Sequence, residues 1–263
     1  MIRTGLISVT FRRLNPESIV SWASRANLSA IEWGGDVHVP HGDVQRARLV
    51  GCMTREAGLN VCSYGSYYRV GCGAAGNAVD FERVLETAVA LQAPAIRVWA
   101  GDRGSEAADE AWRRQVAEDA RRIAELSASA GVRIDFEYHS HTLTDTTESA
   151  LSLLSAIDHP NVRCHWQPRI QDDFAQSCAG LEPLLSRLAN VHVFHWLPSG
   201  ERRPLHEGEE RWRRYLSALL PTGSEHYALL EFVKDDDPMQ MMSDAETLHR
   251  ILDVIGAAGS SRS

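Results

Sequence analysis

The sequence predicts a single (β/α)8 barrel, and three observations lead to this fold class. The chain has 263 residues, of which 44% are hydrophobic and 24% charged, and this suits one barrel domain. Short apolar runs rich in β-branched and aromatic residues recur about every 30 residues, with amphipathic segments between them. Eight consecutive units of this kind without a glycine-rich phosphate loop favour a closed barrel over an open doubly wound sheet.

The predicted strands are the apolar runs themselves. They span 6–11, 30–33, 59–64, 95–100, 132–139, 162–167, 191–196 and 228–233. Parallel strands buried on both faces are expected to be apolar along most of their length, as these runs are.

The predicted helices lie between these runs and carry recognisable start and stop signals. Asn15, Pro16 and Glu17 form a helix start, because asparagine caps and proline suits the first turn. Gly58 and Gly131 end two other helices just before a strand. The clearest amphipathic helix spans 109–130, and its apolar face consists of Trp112, Val116, Ala120 and Ile123. We expect residues 1–255 to form the barrel and residues 256–263 to form a flexible tail.

Composition limits the partners. The formal charge is −8 with a pI near 5.8, so we expect neither nucleic acid nor an anionic membrane as a partner. No apolar stretch is long enough to cross a bilayer and no signal-peptide core follows the N-terminus, which predicts a cytoplasmic protein. The five cysteines form no CxxC pair and are interpreted as reduced thiols.

Unusual polar residues collect at the predicted C-terminal ends of the strands, where the loops of a parallel barrel converge on one cavity. These residues are Glu32, Asp36, His38, Arg97, Trp99, Glu137, His139, His141, Gln167, Arg169, His192, His195 and Glu231.

Two of them, Glu137 and Glu231, lie within otherwise apolar strands. A carboxylate is costly to bury there unless a cation or hydrogen-bond donors meet it. A metal ion would supply the charge, and so would a buried arginine. Two such glutamates together with a strand-seven histidine at one end of the barrel favour the metal.

The order of these groups resembles the xylose-isomerase-like superfamily of sugar isomerases, epimerases and inositol-pathway enzymes. The shared order is glutamate on strand five, a polar residue on strand six, histidine on strand seven and glutamate on strand eight. The resemblance runs from segment 31–36 to the final helix. Its most specific segments are 136–139 (Phe-Glu-Tyr-His), 191–193 (Val-His-Val), 203–208 (Arg-Pro-Leu-His-Glu-Gly) and 230–232 (Leu-Glu-Phe).

The resemblance implies one divalent metal ion, manganese, magnesium, cobalt or zinc, held by Glu137, His192 and Glu231. Strand six of the family normally contributes an aspartate, and Gln167 stands at the matching position. Gln167 would therefore offer a neutral amide oxygen, which leaves one more positive charge on the site.

The activity implied is isomerisation or epimerisation of a small polyol or keto sugar. Removal of a proton from the carbon next to a carbonyl would give a metal-stabilised enediolate, which is then reprotonated. Glu137 and Glu231 would be the base and the acid. Further residues are predicted to bind the substrate. His139 and His195 would position hydroxyl groups, Arg203 or its neighbour Arg202 would contact distal oxygens, and Trp33, Tyr64 and Trp99 would wall the pocket. His38 and Arg169 complete the predicted substrate-binding set at the mouth.

Three other functions remain open. The same site could eliminate water, as lyases and dehydratases of the superfamily do. A branch that cleaves abasic DNA is disfavoured by the acidic charge balance. A barrel that has lost its metal through the glutamine replacement could bind a ligand or a partner without catalysis. A homodimer is also possible.

Overall fold

The barrel closes in the order of the chain. The computed structural model describes residues 1–260, and within this range eight parallel strands each pair with the next, while the eighth pairs with the first. They are β1 Ile2–Ile7, β2 Ala30–Gly34, β3 Asn60–Arg69, β4 Ala95–Trp99, β5 Arg133–Glu137, β6 Val162–Trp166, β7 Leu188–Val193 and β8 His226–Leu230. The predicted (β/α)8 barrel is confirmed.

A helix of at least 8 residues follows each strand. These helices are α1 Pro16–Arg25, α2 Val44–Glu56, α3 Phe81–Leu91, α4 Glu110–Ser129, α5 Thr147–Ile157, α6 Phe174–Leu181, α7 Glu209–Leu219 and α8 Pro238–Ser260. Side chains cap several of them at the expected places. Asn15 accepts from Ser18 N at the start of α1, and Asp109 accepts from Trp112 N at 2.7 Å at the start of α4.

Most of the apolar core lies between the barrel and the helices. Trp33, Trp166 and Trp212 are among its largest side chains and are each at most 1% exposed. Inside the barrel, a smaller apolar cluster is formed by Ile7, Val9, Ala30, Cys62 and Leu229. The remaining interior is filled by charged and imidazole side chains that bond to one another across strands β2, β4, β5, β6 and β7.

Gly65 on β3 leaves space for part of that polar interior. A Cβ atom at this position would lie 2.7 Å from Nη2 of Arg97 and 2.9 Å from Oε1 of Glu32. Real Cβ atoms essentially never lie this close to another atom, so any larger residue at position 65 would force the ion pair between β2 and β4 to shift.

The first strand begins earlier than predicted. The apolar run 6–11 suggested the strand, yet the ladder with β8 starts at Ile2, and residues Ser8–Phe11 form a 3-10 turn. Backbone pairing forms this ladder irrespective of the polar side chains of Arg3 and Thr4. The final helix continues to Ser260, so residues 256–260 of the predicted tail are helical, and residues 261–263 lie outside the described chain.

No helix between residues 1 and 260 combines the length and the low polarity that crossing a bilayer demands.

Candidate metal and active site

Three of the four predicted metal ligands meet at the C-terminal mouth of the barrel. Glu137 ends β5, His192 lies one residue before the end of β7, and Glu231 directly follows β8. Nδ1 of His192 lies 3.6 Å from Oε1 of Glu137 and 3.4 Å from Oε2 of Glu231. One ligand atom from each residue lies within 4.8 Å of the others. Two carboxylate oxygens and an imidazole nitrogen at this spacing could hold a divalent cation.

His192 supports this interpretation, because its Nδ1 atom is buried and has no hydrogen-bond partner within the described chain. An orphaned nitrogen between two carboxylates is the arrangement expected of a metal ligand. Burial lowers the pKa of His192, but the neighbouring Glu231 and Glu137 carboxylates raise it by more, so the pKa lies above its ordinary value. Without a cation, a proton on His192 offsets part of the negative charge.

The balance of buried charge also suits a divalent ion. Four carboxylates of the barrel interior, those of Glu32, Asp135, Glu137 and Glu231, are at most 6% exposed. Arg97 pairs with two of these carboxylates and Arg133 with a third. The two guanidinium groups leave two negative charges in this set, which one divalent cation would balance.

Arg97 on β4 holds one half of Glu137. Its Nη1 donates to Oε2 of Glu137, and its Nε donates to Oε1 of Glu32 at 2.7 Å. The indole of Trp99 adds a second donor to Oε2 of Glu137 at 2.5 Å. A buried arginine therefore compensates the charge on Oε2 of Glu137, as the sequence also allowed. The other oxygen, Oε1, faces His192.

These contacts keep Glu137 ionised. Burial raises the pKa of its carboxyl, but Arg97 and then His192 lower it by more, and the resulting pKa is about 2. A carboxylate held so firmly in its anionic form suits a metal ligand better than a proton acceptor.

Gln167, the predicted fourth ligand, directly follows β6 and lines the cavity beside Glu137. Its Nε2 donates to the backbone carbonyl of Tyr138 at 2.8 Å. A carbonyl can only accept, so the amide is oriented with its oxygen on the opposite side. Gln167 stays a predicted ligand that could supply this oxygen.

A second group of possible ligands, Glu32, His165 and His192, lies deeper in the barrel. Its atoms are already engaged: Glu32 accepts from Arg97 and from Ser63, and Nδ1 of His165 lies 3.1 Å from Nε2 of His192. This group forms a hydrogen-bonded network, and the Glu137 group is the better candidate for a metal.

A cavity of about 670 Å³ opens above Glu137 and Glu231. This volume accommodates a small ligand. Aromatic side chains supply much of its wall, with arginines at the rim. The lining includes Arg12, Tyr67, Trp99, His139, Gln167, Arg169, Phe194, Trp196 and Phe232. Trp99, His139 and Arg169 are thus placed where the sequence predicted substrate contacts.

His139 lines this cavity with a ring whose hydrogen position is fixed by a backbone contact. Its ring stacks on Trp99 with centroids 4.8 Å apart, and its Nδ1 lies 2.7 Å from the carbonyl oxygen of Ser140. The carbonyl can only accept, so Nδ1 carries the hydrogen of the neutral ring. The lone pair of the neutral ring then lies on Nε2.

Three residues predicted to contact substrate, Trp33, His38 and Tyr64, lie outside the lining of this cavity. Each is at most 2% exposed. Trp33 points into the helical shell, where its indole donates to Thr54 of α2 at 3.1 Å.

His38 and Tyr64 are held on the same outer side of the barrel. His38 contacts Ser8 Oγ at 2.9 Å, and the Tyr64 hydroxyl donates to Val39 O at 2.7 Å. On β2 and β3 the residues just before Trp33 and Tyr64 face the barrel interior instead. These residues are Glu32 and Ser63, and the Ser63 hydroxyl donates to Glu32.

His195 and Arg203 also lie away from the main cavity. His195 borders an adjoining cleft with Trp212 and Tyr215. Arg203 pairs with Glu201 and Glu207 on the surface. Arg202 is closer to the mouth, because its guanidinium lies 5.4 Å from the ring of Trp196 and 5.0 Å from that of Phe232, and both rings line the cavity.

Several site residues had no predicted role. Tyr67 lines the cavity from a left-handed backbone position with φ 56°, and its ring lies 4.9 Å from the Arg97 guanidinium. Arg97 was noted at the end of its strand without a role. Strand alternation could have indicated His165, because it lies two residues before the predicted site residue Gln167 and shares its face.

Comparison with known proteins assigns the chain to a family. The family model described as "Xylose isomerase-like TIM barrel" matches residues 20–252. A 3-dehydroshikimate dehydratase from Bacillus anthracis is 26% identical in an alignment of 264 positions, gaps included, that covers 88% of this chain and 91% of that protein.

Solved structures show the same fold at lower identity. The probable 3-DHS dehydratase of petrobactin synthesis from Bacillus anthracis superposes with a TM-score of 0.76 at 20% identity, covering 94% of this chain and 98% of that one. An L-ribulose 3-epimerase gives 0.75 at 16% identity, covering 100% and 98%. A barrel protein from Mycobacterium smegmatis in complex with magnesium gives 0.71 at 16% identity, covering 97% of each chain. The chain belongs to the xylose isomerase-like TIM barrel family.

Proposed function

We propose that the protein is a metal-dependent enzyme that removes a proton from the carbon beside a carbonyl group in a small polyhydroxylated compound. The observation that carries this proposal is the group of Glu137, His192 and Glu231 at the floor of a cavity large enough for such a substrate. Such a proton is too weakly acidic for an isolated base, so the oxygen that becomes negative must be stabilised.

Glu137, His192 and Glu231 would hold the cation, with the amide oxygen of Gln167 as a fourth ligand. When bound, a divalent ion polarises the substrate carbonyl and stabilises negative charge on its oxygen. Arg97 and Trp99 fix Glu137 through Oε2, which leaves Oε1 for the cation.

The contacts of Glu137 lead us to propose a pair of proton-transfer groups that differs from the predicted pair of Glu137 and Glu231. With one oxygen bonded to Arg97 and the other assigned to the metal, Glu137 has no free site for a substrate proton. Glu231 and His139 both line the cavity, and the Nε2 atom of His139 is available as a base. We assign proton transfer to Glu231 and His139 and the role of ligand to Glu137.

Isomerisation or epimerisation of a keto sugar is one outcome of this chemistry. Inversion at a carbon requires one group to remove the proton and another to return it on the opposite face. Glu231 and His139 extend from different strands and could supply these two groups.

Elimination of water is the second outcome, and the dehydratase relative at 26% identity favours it. Elimination needs one base for the carbon-bound proton and an acid for the departing hydroxyl, so the asymmetric pair of His139 and Glu231 also suits it. The substrate of this reaction would be a β-hydroxy ketone, the class to which 3-dehydroshikimate belongs.

Exchange of the substrate proton in heavy water tests the shared first step. The protein loaded with Mn²⁺ is incubated in D₂O with a panel of ketoses and with 3-dehydroshikimate, and products are followed by NMR and by ultraviolet absorbance. Deuterium at the carbon beside the carbonyl of a recovered sugar identifies the isomerase or epimerase. A new conjugated double bond identifies the dehydratase.

Glu231→Gln should reduce turnover by about 10³-fold or more while the circular dichroism spectrum stays that of the wild type. Glu182→Gln, on the outside of the barrel, is the matched control and should keep full activity. Retained turnover in folded Glu231→Gln would contradict the assignment of this residue.

A further inference from the structure

A chain of hydrogen bonds leads from His192 towards the N-terminal ends of the strands. Nε2 of His192 lies 3.1 Å from Nδ1 of His165, and Nε2 of His165 lies 3.2 Å from Oδ2 of Asp135. Arg133 donates to both oxygens of Asp135, at 2.6 and 2.8 Å. His192, His165 and Asp135 are at most 1% exposed, so water does not compete for these contacts.

Asp135 sets the direction of the chain. An ionised carboxylate only accepts hydrogen bonds, so Nε2 of His165 must carry the hydrogen that it shares with Asp135. The bidentate contact with Arg133 keeps Asp135 in this accepting form. In a neutral His165 ring the Nδ1 atom then carries a lone pair and no hydrogen. It can only accept a hydrogen bond, so Nε2 of His192 must be the donor.

Two neighbours could disturb this order, and both are less favourably placed. Nδ2 of Asn190 lies 3.3 Å from Nε2 of His165, but this contact between neutral groups is weaker than the charge-assisted bond with the Asp135 carboxylate. Oε2 of Glu32 lies 3.7 Å from Nδ1 of His165, beyond hydrogen-bond distance, and it already accepts from Ser63. The contacts with Asp135 and His192 therefore define the state of the His165 ring.

We propose that His165, oriented by Asp135, is a positioning residue that holds His192 in the tautomer whose Nδ1 lone pair faces the cation site. The inference rests on the proposed metal site and adds to it a determinant of metal affinity. Metal-binding histidines usually donate their second N–H to a carboxylate or a carbonyl. Here the imidazole of His165 lies between His192 and the carboxylate of Asp135. Asp135 fixes the hydrogen on His165, and His165 in turn fixes the hydrogen on His192.

Mn²⁺ affinity of the full chain, measured by electron paramagnetic resonance of the free ion, tests this role without an activity assay. His165→Leu removes the acceptor for His192 and should weaken binding by about 10- to 100-fold. His165→Asn can place its amide oxygen near the position of Nδ1, so it should recover a large part of that loss. His226→Leu is the matched control, because His226 is also fully buried but bonds to Ala189 O and Thr222, and it should bind Mn²⁺ like the wild type.

A second measurement uses the unaltered protein, so the test does not depend on the folding of a variant. In the Zn²⁺-loaded, ¹⁵N-histidine-labelled chain, NMR should show the hydrogen on Nε2 of both His165 and His192. A hydrogen on Nδ1 of His165, or unchanged Mn²⁺ affinity in folded His165→Leu, would overturn the positioning role. Failure of the wild type to bind Mn²⁺ would instead overturn the metal site and this inference with it.

Discussion

Arg97 is the residue on which the floor of the cavity depends. Its guanidinium group is 1% exposed and bridges Glu32 and Glu137. Taking three charges out of water is costly, and their mutual attraction offsets that cost only while all partners remain in place. The same contacts leave one oxygen of Glu137 for a cation, so the ion pair determines both stability and ligand geometry.

Removing the Arg97 charge should therefore be costly. Arg97→Met leaves two buried carboxylates without a counter-charge and should lower the free energy of unfolding by about 3 to 5 kcal/mol, measured by urea denaturation. Arg213→Ala, which breaks an exposed pair with Glu210, should change it by less than about 1 kcal/mol. Equal effects of the two substitutions would show that the buried bridge contributes little.

The depressed pKa of Glu137 predicts a dependence of stability on pH in the metal-free protein. Its folded pKa is about 2, against an ordinary value of 4.5. The stability that it contributes is therefore complete above pH 4.5 and is lost as the pH falls towards 2. The slope of the unfolding free energy against pH measures the protons taken up on unfolding. Glu137→Gln should lower that number by up to about one proton in this window. An unchanged slope in the variant would contradict the ionised state of Glu137.

Some candidate site residues are easier to select from the sequence than others, for physical reasons. Glu137 and Glu231 could be identified because a carboxylate in an apolar strand is costly to bury alone. Aromatic side chains such as Trp33 and Tyr64 suit a pocket wall, but burial in the helical shell suits them equally. Alternation along the strands separates these cases, since the inward-facing Glu32 and Ser63 immediately precede them.

Strand β3 shows how one backbone position accommodates the site. The chain passes closest to the Arg97 and Glu32 pair at Gly65, and the register between β3 and β4 shifts just beyond it, between Gly65 and Tyr68. The irregular segment places Tyr67 in the cavity. Such a bulge re-aims a side chain without interrupting the barrel.

Gly65→Ala should destabilise the fold by about 1 to 3 kcal/mol, because the added methyl group overlaps the ion pair. Gly256→Ala in helix α8 is a suitable comparison, since its Cβ would meet nothing within 4 Å. That substitution should be neutral or stabilise by up to about 1 kcal/mol. Thermal unfolding of the two variants measures both effects, and a neutral Gly65→Ala would show that the pair can move aside.

The sequence predicts which helices and strands exist better than it predicts their first and last residues. The caps at Asn15 and Asp109 and the glycines that end helices are local signals, and the helices begin and end near them. Strand limits depend on partners distant in the sequence. The ladder between β1 and β8 pairs Ile2 with His226. The residues at positions 2–5 form no local pattern that would predict this pairing.

At the scale of the whole molecule, closure of the barrel brings together groups that are far apart in the sequence. Glu137 and Glu231 lie on β5 and at the end of β8, yet both contact His192. The fold class could be predicted because the repeat of strands and helices is periodic along the chain. The link from His192 to His165 and Asp135 could not, because it depends on the distance between neighbouring strands inside the closed barrel.

A metal that binds only the folded chain should raise its stability. With Mn²⁺ at 100 times its dissociation constant, the gain is about 2.7 kcal/mol, and the melting temperature should rise accordingly. His192→Leu should abolish this rise, whereas His159→Leu on the outer surface should preserve it. Equal stabilisation of wild type and His192→Leu would assign the metal to another place.

The most direct test of the central claim is a crystal structure of the protein soaked in Mn²⁺, with anomalous diffraction recorded to locate the ion. The account predicts one strong peak within about 2.0 to 2.4 Å of Oε1 of Glu137, Nδ1 of His192 and Oε2 of Glu231. A cavity without a peak, or a peak bound only by residues outside this group, would contradict it.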